Sequence, residues 1–285
     1  MNICFVVNKN YIGQLKVALK SLFSSNKDNI EIYLLQNDLN DEDKKDLQRY
    51  VTSFNQKINF IQMDDSLFIG LPKMGYDSSY TAYFKIMIPY VLNQLNKVLY
   101  LDCDLLIEKE LSSLYNSERK HFISAVLDEK VNKNRKEHVK NICEKEYDTY
   151  FNSGVILFDF FHKDEIISKE EMFDYIIKNK EIIKFHDQDI LNHFYIEKND
   201  ILPEKYNYVT TYKSVKDVFF HKDGKKAYII HYANWKPWNP NYIGKYYKKY
   251  KNIYKSIKKD ENLRFLKRRN VFSMCKLIID FIKKR

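Results

Sequence analysis

The chain has 285 residues, 45% of them hydrophobic, enough to bury a large core as one domain with or without an appendage. Its four cysteines (Cys4, Cys103, Cys143, Cys275) are scattered without a CxxC pair, which argues against a disulfide framework or zinc knuckle and for a reduced, cytoplasmic compartment. The formal charge of +10 sits at one end: residues 242–285 carry 15 Lys and Arg against 3 Asp and Glu, leaving 33 against 35 in residues 1–241. No apolar run approaches the roughly 18 residues of a membrane span, so neither export nor spanning is expected.

From the N-terminus, the apolar run ICFVV (3–7) reads as a strand. Leu15, Ala18, Leu19, Leu22 and Phe23 fall at helix spacing, and IEIYLL (30–35) reads as a second strand. A helix is expected from about Asn40, with Asp41, Glu42 and Asp43 in its first turn where the macrodipole favours negative charge, followed by the strand INFIQM (58–63). Residues 80–92 read as helical, with Pro89 kinking or ending the element. KVLYLD (97–102), FISAVL (122–127) and GVILFDF (154–160) read as strands, and helices are expected near 165–180 and 187–195. This alternation predicts an α/β fold with a mainly parallel sheet and helices on both faces, and ligands then bind beyond the carboxyl ends of the strands.

At one such end, KVLYLDCDLLI closes on Asp102 and Asp104. Residues i and i+2 of an extended chain project to one side, so these carboxylates converge while Cys103 faces packing. Carboxylates that close repel unless a positive group lies between them, and a divalent cation with an anionic ligand is the usual answer. The competing reading is a pair of solvated loop acids, because a DxD triplet alone is common. HYANWKPW (231–238) adds His231, Lys236, Trp235 and Trp238 at another strand end. An imidazole can complete a carboxylate-rich metal site and a lysine can neutralise a phosphate, although a histidine like His231 alone is more often a satisfied core residue and tryptophans are more often packing. In FHDQDILN, Asp187, Gln188 and Asp189 open a helix, where acids can be mere caps. In YFNSGVILFD, Asn152, Ser153 and Gly154 read as a small turn before a buried strand, with Gly154 serving backbone conformation.

In this order and approximate spacing, VVNKNY, YTAYFKIMIPY, VLYLDCDLLI, YFNSGVILFD, HDQDILN and HYANWKPW resemble glycosyltransferase family 8, the retaining GT-A enzymes that include bacterial lipopolysaccharide galactosyl- and glucosyltransferases and glycogenin. The likeness runs from about residue 2 to 240. It implies a Rossmann-like GT-A catalytic domain over residues 1–241, binding UDP-galactose or UDP-glucose with Mn²⁺ or, in its place, Mg²⁺. It implies that Asp102, Asp104 and His231 hold the metal on the diphosphate, with Cys103 between the two aspartates. Lys236 would grip the same phosphates and stabilise the leaving group. Asn8, Asn10 and Tyr11 would read uracil. Lys85 would lie near the donor, and Asn152, Ser153, Asp187 and Gln188 would surround the donor sugar. Two departures are visible: Asn8 stands where relatives commonly carry an acid, and the terminal motif is one residue shorter before Lys236 and lacks its usual glycine. The implied reaction is transfer of the hexose to a glycan hydroxyl with retention, giving an α-glycoside. Because Gln188 is a poor nucleophile, a front-face route fits better than double displacement.

The tail, residues 242–285, mixes Lys and Arg with Tyr, Phe and Ile. Val271 or Phe272, Cys275, Ile278, Ile279 and Ile282 share one helical face. Such a helix lies on an anionic membrane surface, which suits a lipid-linked acceptor at the inner face of the cell membrane, or it packs its stripe on the body. Nucleic-acid binding is disfavoured, because the charge comes with no groove-reading motif. The alternatives are a transferase acting on a protein acceptor, or a non-catalytic membrane- or nucleic-acid-binding protein.

Overall fold

The computed structural model describes residues 1–72, 80–210, 226–233, 236–239, 242 and 246–257. The N-terminal half alternates strand and helix as the periodicity predicts: β1 (Asn2–Val6), α1 (Ile12–Ser25), β2 (Glu31–Gln36), α2 (Asp41–Thr52), β3 (Lys57–Gln62). Helix α2 opens with a full capping box, the Asn40 side chain accepting from Asp43 N while the Asp43 carboxylate accepts from Asn40 N. A 3₁₀ segment, Thr81–Met87, then runs into the short α3 (Ile88–Val91), where Pro89 occupies the first turn. The expected kink or stop at Pro89 is therefore corrected. Its missing N–H costs nothing in a first turn, so it starts the α-helical turn.

β4 (Lys97–Leu101) is followed after three residues by β5 (Leu105–Ile107), a strand hidden in the sequence because it merges with the same apolar run. Then come α4 (Ser112–Asn116), β6 (Ile123–Leu127), α5 (Glu129–Asn134), α6 (Lys136–Cys143), β7 (Phe151–Asp159), α7 (Lys169–Asn179), α8 (Asp187–Tyr195), β8 (Asn199–Ile201), β9 (Tyr208–Val209), β10 (Ile229–His231) and α9 (Tyr247–Ser256). Strand β7 begins three residues earlier than expected, so Asn152, Ser153 and Gly154 are strand residues and not a turn.

The main sheet has the order β3-β2-β1-β4-β7-β6-β8. Its pairings are parallel except that β7 runs antiparallel to both neighbours. The inner strands are buried on both faces, while the edge strands β3 and β8 are partly exposed. Ile3, Phe5, Leu99 and Leu101 join α1 and α2 in one core, while Cys4, Val98, Tyr100 and Phe158 join α7 and α8 in the other. Building outward from β1 to β3 and then returning to place β4 on the other side of β1 makes a topological switch point, with its crevice at the carboxyl ends of β1 and β4.

A second sheet, β5-β10-β9, stands beside that crevice. Part of the segment assigned from sequence to a tail packs here. Tyr242, Tyr246 and Tyr250 are buried with Val17, Leu106, Ile230 and Tyr232, and Lys249 of α9 pairs with Glu108. The stripe from Val271 to Ile282 lies outside the described residues. Among the described residues no helix is long and apolar enough to cross a membrane.

Candidate active site

The crevice is assembled from strand ends. Asp102 follows β4, and its N–H donates to Gly154 O across the antiparallel pair with β7 (2.9 Å). Asp104 precedes β5, which pairs antiparallel with β10 so that His231 lies opposite Leu105. Tyr232 N then donates to Asp104 O (3.0 Å). His231 Nε2 is 3.4 Å from Asp104 Oδ1 and 3.7 Å from Asp102 Oδ2, and one ligand atom from each residue lies within 4.8 Å of the others. The convergence expected from i,i+2 spacing is thus present, and two strands from a separate sheet deliver the histidine.

Gly154 is required by space, not by dihedral angle. Among the described glycines only Gly70 has a positive φ, whereas a Cβ on Gly154 would sit 2.3 Å from His231 Cε1, 2.8 Å from its Nδ1 and 2.9 Å from Asp102 Oδ2. Two carboxylates and an imidazole, with a wall cleared of side chain beside them, form a donor set suited to a hard divalent cation.

Two lysines balance the acids. Lys236 pairs with Asp104 Oδ2 despite the shortened motif. Burial opposes the Asp104 charge, but Lys236 and His231 outweigh it and hold this carboxyl well below the usual range. Lys85 is buried, 2.6 Å from Asp187 Oδ2 and 3.3 Å from Asp102 Oδ1, with its Nζ 4.7 Å from the Tyr100 ring centroid. Burial would lower its pKa, and the two carboxylates overcome that and raise it. Tyr100 donates to Asp102 Oδ1 at 2.6 Å, completing a fixed environment for that carboxylate.

The HDQD segment divides its labour. Asp189, fully buried, is structural: Oδ2 accepts from Lys184 N and Phe185 N (2.7 and 2.8 Å), and Oδ1 accepts from Tyr150 OH (2.6 Å) and His138 Nε2 (2.8 Å). These bonds hold the turn in which His186 has φ 50°, a strained value for a non-glycine residue. That turn directs Asp187 and Gln188 inward. Asp187 Oδ2 accepts from Ser153 Oγ (2.7 Å), Gln188 Oε1 from Ser153 N (3.1 Å), and Gln188 Nε2 donates to Asp128 Oδ2 (3.2 Å). Asn152 joins the same group through Nδ2 to Asp128 Oδ2 (3.3 Å).

A break in the β6–β7 register makes room for this. Ala125 pairs with Ile156, but Val126 pairs with Asn152, so Ser153, Gly154 and Val155 bulge out of the ladder beside the crevice. Asp128 was not among the sequence candidates. Its signal was present, since it ends the run FISAVLD at the carboxyl end of β6. Asn207 was also missed, and no local pattern marks it.

At the mouth of β1, buried Asn8 accepts from Asn10 N (3.0 Å) and caps the 3₁₀ turn Lys9–Tyr11, while the Asn10 side chain is exposed. Tyr11 packs edge-on against Trp238, ring centroids 6.1 Å apart, which brings this loop to the terminal motif. The Cys103 thiol points into the core and donates to Val6 O (3.5 Å), so only the main chain of this residue is left to face the crevice.

A family model described as "Glycosyl transferase family 8" matches residues 2–242. Lipopolysaccharide 1,2-glucosyltransferase of Escherichia coli is 27% identical over 270 residues, covering 89% of this chain and 77% of that protein. A relative from Haemophilus influenzae is 24% identical over 212 residues, 74% of this chain, and the chain spans 64% of that relative's length. Among solved structures, the galactosyltransferase LgtC in complex with donor and acceptor sugar analogs superposes with a TM-score of 0.77 at 22% identity, over 90% of this chain and 96% of that one. The fold is that of the GT-A enzymes.

Proposed function

Because the chain belongs to glycosyltransferase family 8, we propose that it transfers galactose or glucose from a UDP-sugar to a hydroxyl of a lipid-linked or cell-surface glycan, retaining the α configuration. The observation that carries this reading is the group Asp102, Asp104 and His231, with Lys236 against it, at the switch point of the sheet. These residues would hold Mn²⁺, or Mg²⁺ in its place. When bound, such an ion supplies Lewis-acid neutralisation of the charge that develops on departing UDP.

The protein's own groups do the rest. Lys236, which pairs with Asp104 here, would place a second positive charge at the leaving group. Asn8, Asn10 and Tyr11 bind the uracil end, and Trp238 braces Tyr11. Lys85 neutralises Asp187 and Asp102, so that the acids of the crevice do not repel the anionic donor. Asn152, Ser153, Asp187 and Gln188 form the wall for the sugar.

The state of the neighbouring carboxylates supports the front-face route, in which the leaving phosphate oxygen takes the proton of the acceptor hydroxyl. Asp187 is tied to Lys85 and Ser153, Asp128 to Val131 N, Asn152 and Gln188, and Asp189 is sealed in the core. Each is held in place by its neighbours, and Gln188 beside them is an amide and a poor nucleophile. We read residues 1–241 as the catalytic unit, with residues 242 and 246–257 packed on it as an extension. By composition, the basic and apolar remainder of 242–285 would associate with the inner face of the membrane. The names of the E. coli enzyme and of LgtC support a glycan acceptor and leave the choice between glucose and galactose to measurement.

The test is calorimetric titration of UDP, with Mn²⁺ and with EDTA, into wild type and Asp104→Asn, followed by hydrolysis of UDP-galactose and UDP-glucose. Metal-dependent UDP binding that the variant loses is expected, and the faster donor names the sugar. An absence of UDP binding under both conditions would remove the transferase reading.

A further inference from the structure

We infer that Asn207 is a positioning residue that sets the tautomer of His231 and aims its Nε2 lone pair between Asp102 and Asp104. This rests on the metal-dependent transferase reading above. Asn207 is 2% exposed and closes the 3₁₀ turn Glu204–Tyr206, just before β9. Its side chain spans the gap between His231 and Asn152, 2.8 Å from each.

The assignment follows from hydrogen inventory, starting at an atom whose role is fixed. Gly154 N–H can only donate, so the Asn152 atom 3.0 Å away is its carbonyl oxygen Oδ1. The other end of Asn152, Nδ2, faces the Asp128 carboxylate at 3.3 Å, as this orientation requires. The Asn207 atom that meets Asn152 Oδ1 is then the donor Nδ2, and the end facing His231 Nδ1 is the acceptor Oδ1. His231 Nδ1 must carry its hydrogen. With that hydrogen on Nδ1, it is Nε2 that faces the two carboxylates 3.4 and 3.7 Å away, where its lone pair is stabilised by a positive charge between them, a proton or a metal ion.

The relay from Gly154 N through Asn152 and Asn207 therefore holds His231 as a metal donor before any ion arrives. The partner on the far nitrogen also raises ligand basicity and fixes ring orientation, and loss of such partners typically weakens metal affinity 10–100-fold. The relay shares Asn152 with the wall assigned to the sugar, so one residue outside both sites ties their geometry together.

The experiment measures Mn²⁺ affinity of the full chain in saturating UDP, from the free-ion electron paramagnetic resonance signal, for wild type, Asn207→Leu, Asn207→Asp, His231→Ala and the Asn207→Leu/His231→Ala double variant. Thermal unfolding in EDTA is recorded alongside. Asn207→Leu, which has no acceptor, is expected to bind Mn²⁺ about 10–100-fold more weakly, and Asn207→Asp, which keeps one, to stay within about threefold of wild type by the same argument. In the His231→Ala background the leucine change should cost nothing further, because its effect passes through the imidazole. Wild-type affinity in Asn207→Leu, equal losses in the leucine and aspartate variants, or additive losses in the double variant would each overturn the assignment. Wild type that binds no Mn²⁺ in UDP would instead sink the reading on which it rests.

Discussion

Gly154→Ala places one methyl group in the most crowded point of the site, and its effect can be worked from distances. The added Cβ would stand 2.3 Å from His231 Cε1, whereas carbon atoms settle at about 3.5 Å or more, so a displacement of roughly 1.2 Å is needed. The imidazole cannot retreat cheaply. It is held by Asn207, its residue pairs with Leu105 and Val209, and its carbonyl accepts from Thr210 N. Strand β7 is buried throughout and bonded to β4, so the main chain resists as well. Overpacking of this kind costs about 1–3 kcal/mol. At roughly 2–4 °C per kcal/mol for a chain of this order of size, Tm should fall by about 2–12 °C. If the strain is relieved by expelling the ring, a ligand is lost and Mn²⁺ affinity in UDP should drop by more than about 100-fold, beyond the range for a lost outer partner. His231→Ala opens space for the methyl, so the double variant should unfold at higher temperature than the sum of single effects predicts while binding Mn²⁺ no more tightly than His231→Ala alone. Differential scanning fluorimetry and the Mn²⁺ titration read the two quantities separately. A Gly154→Ala protein with wild-type Tm and wild-type Mn²⁺ affinity would refute the close-approach argument.

Two further outcomes follow from the same structure. Asp189→Asn replaces one oxygen of a fully buried carboxylate that accepts four hydrogen bonds; two of them then face an NH₂ group, and at about 1.5–3 kcal/mol per charge-assisted bond, unfolding in urea should show a loss of roughly 3–6 kcal/mol. A loss under about 1 kcal/mol would show that the His186 turn is held by other contacts, since a single ordinary hydrogen bond accounts for that much. The Asp104 carboxyl is depressed in the fold, so its contribution is present above the unfolded carboxylate pKa of about 3.9 and is lost as pH falls below it. The stability difference between wild type and Asp104→Asn should therefore be flat from pH 8 to about 5.5 and shrink by about 0.7 kcal/mol by pH 3.5. A difference that does not change over that range would show that the pairing with Lys236 and His231 does not persist in solution.

The fold was legible where burial on both faces wrote itself as continuous apolar runs, as in ICFVV, IEIYLL and GVILFDF, and where helix spacing repeated over several turns, as in α1. Short strands were not: β5 has three residues and shares its run with β4, and β10 reaches the crevice by pairing with a strand 122 to 126 residues earlier in the chain. Asp102, Asp104 and His231 could be proposed because acids and histidines at strand ends are conspicuous against apolar neighbours. The reason for Gly154 could not be read, because the atoms it must avoid belong to β10 and to the end of β4. Asp187 and Asp189 look alike in sequence, yet one faces the crevice and the other the core. The difference is a single left-handed residue, His186, and a buried partner, His138, that local spacing does not reveal.

The pairing of β5 with β10 also sets a clock. Asp104 and His231 are joined by 127 intervening steps of chain, and Lys85 and Asp187 by 102. At about 5–20 residues per second of synthesis, a nascent protein carries its two aspartates for roughly 6–25 seconds before the histidine exists. Until then Asp102 has Lys85 but Asp104 lacks both of its partners, His231 and Lys236, and the donor set for a cation is incomplete. The candidate cation site is thus completed late in synthesis, and a chain interrupted before β10 would be left with its acidic half.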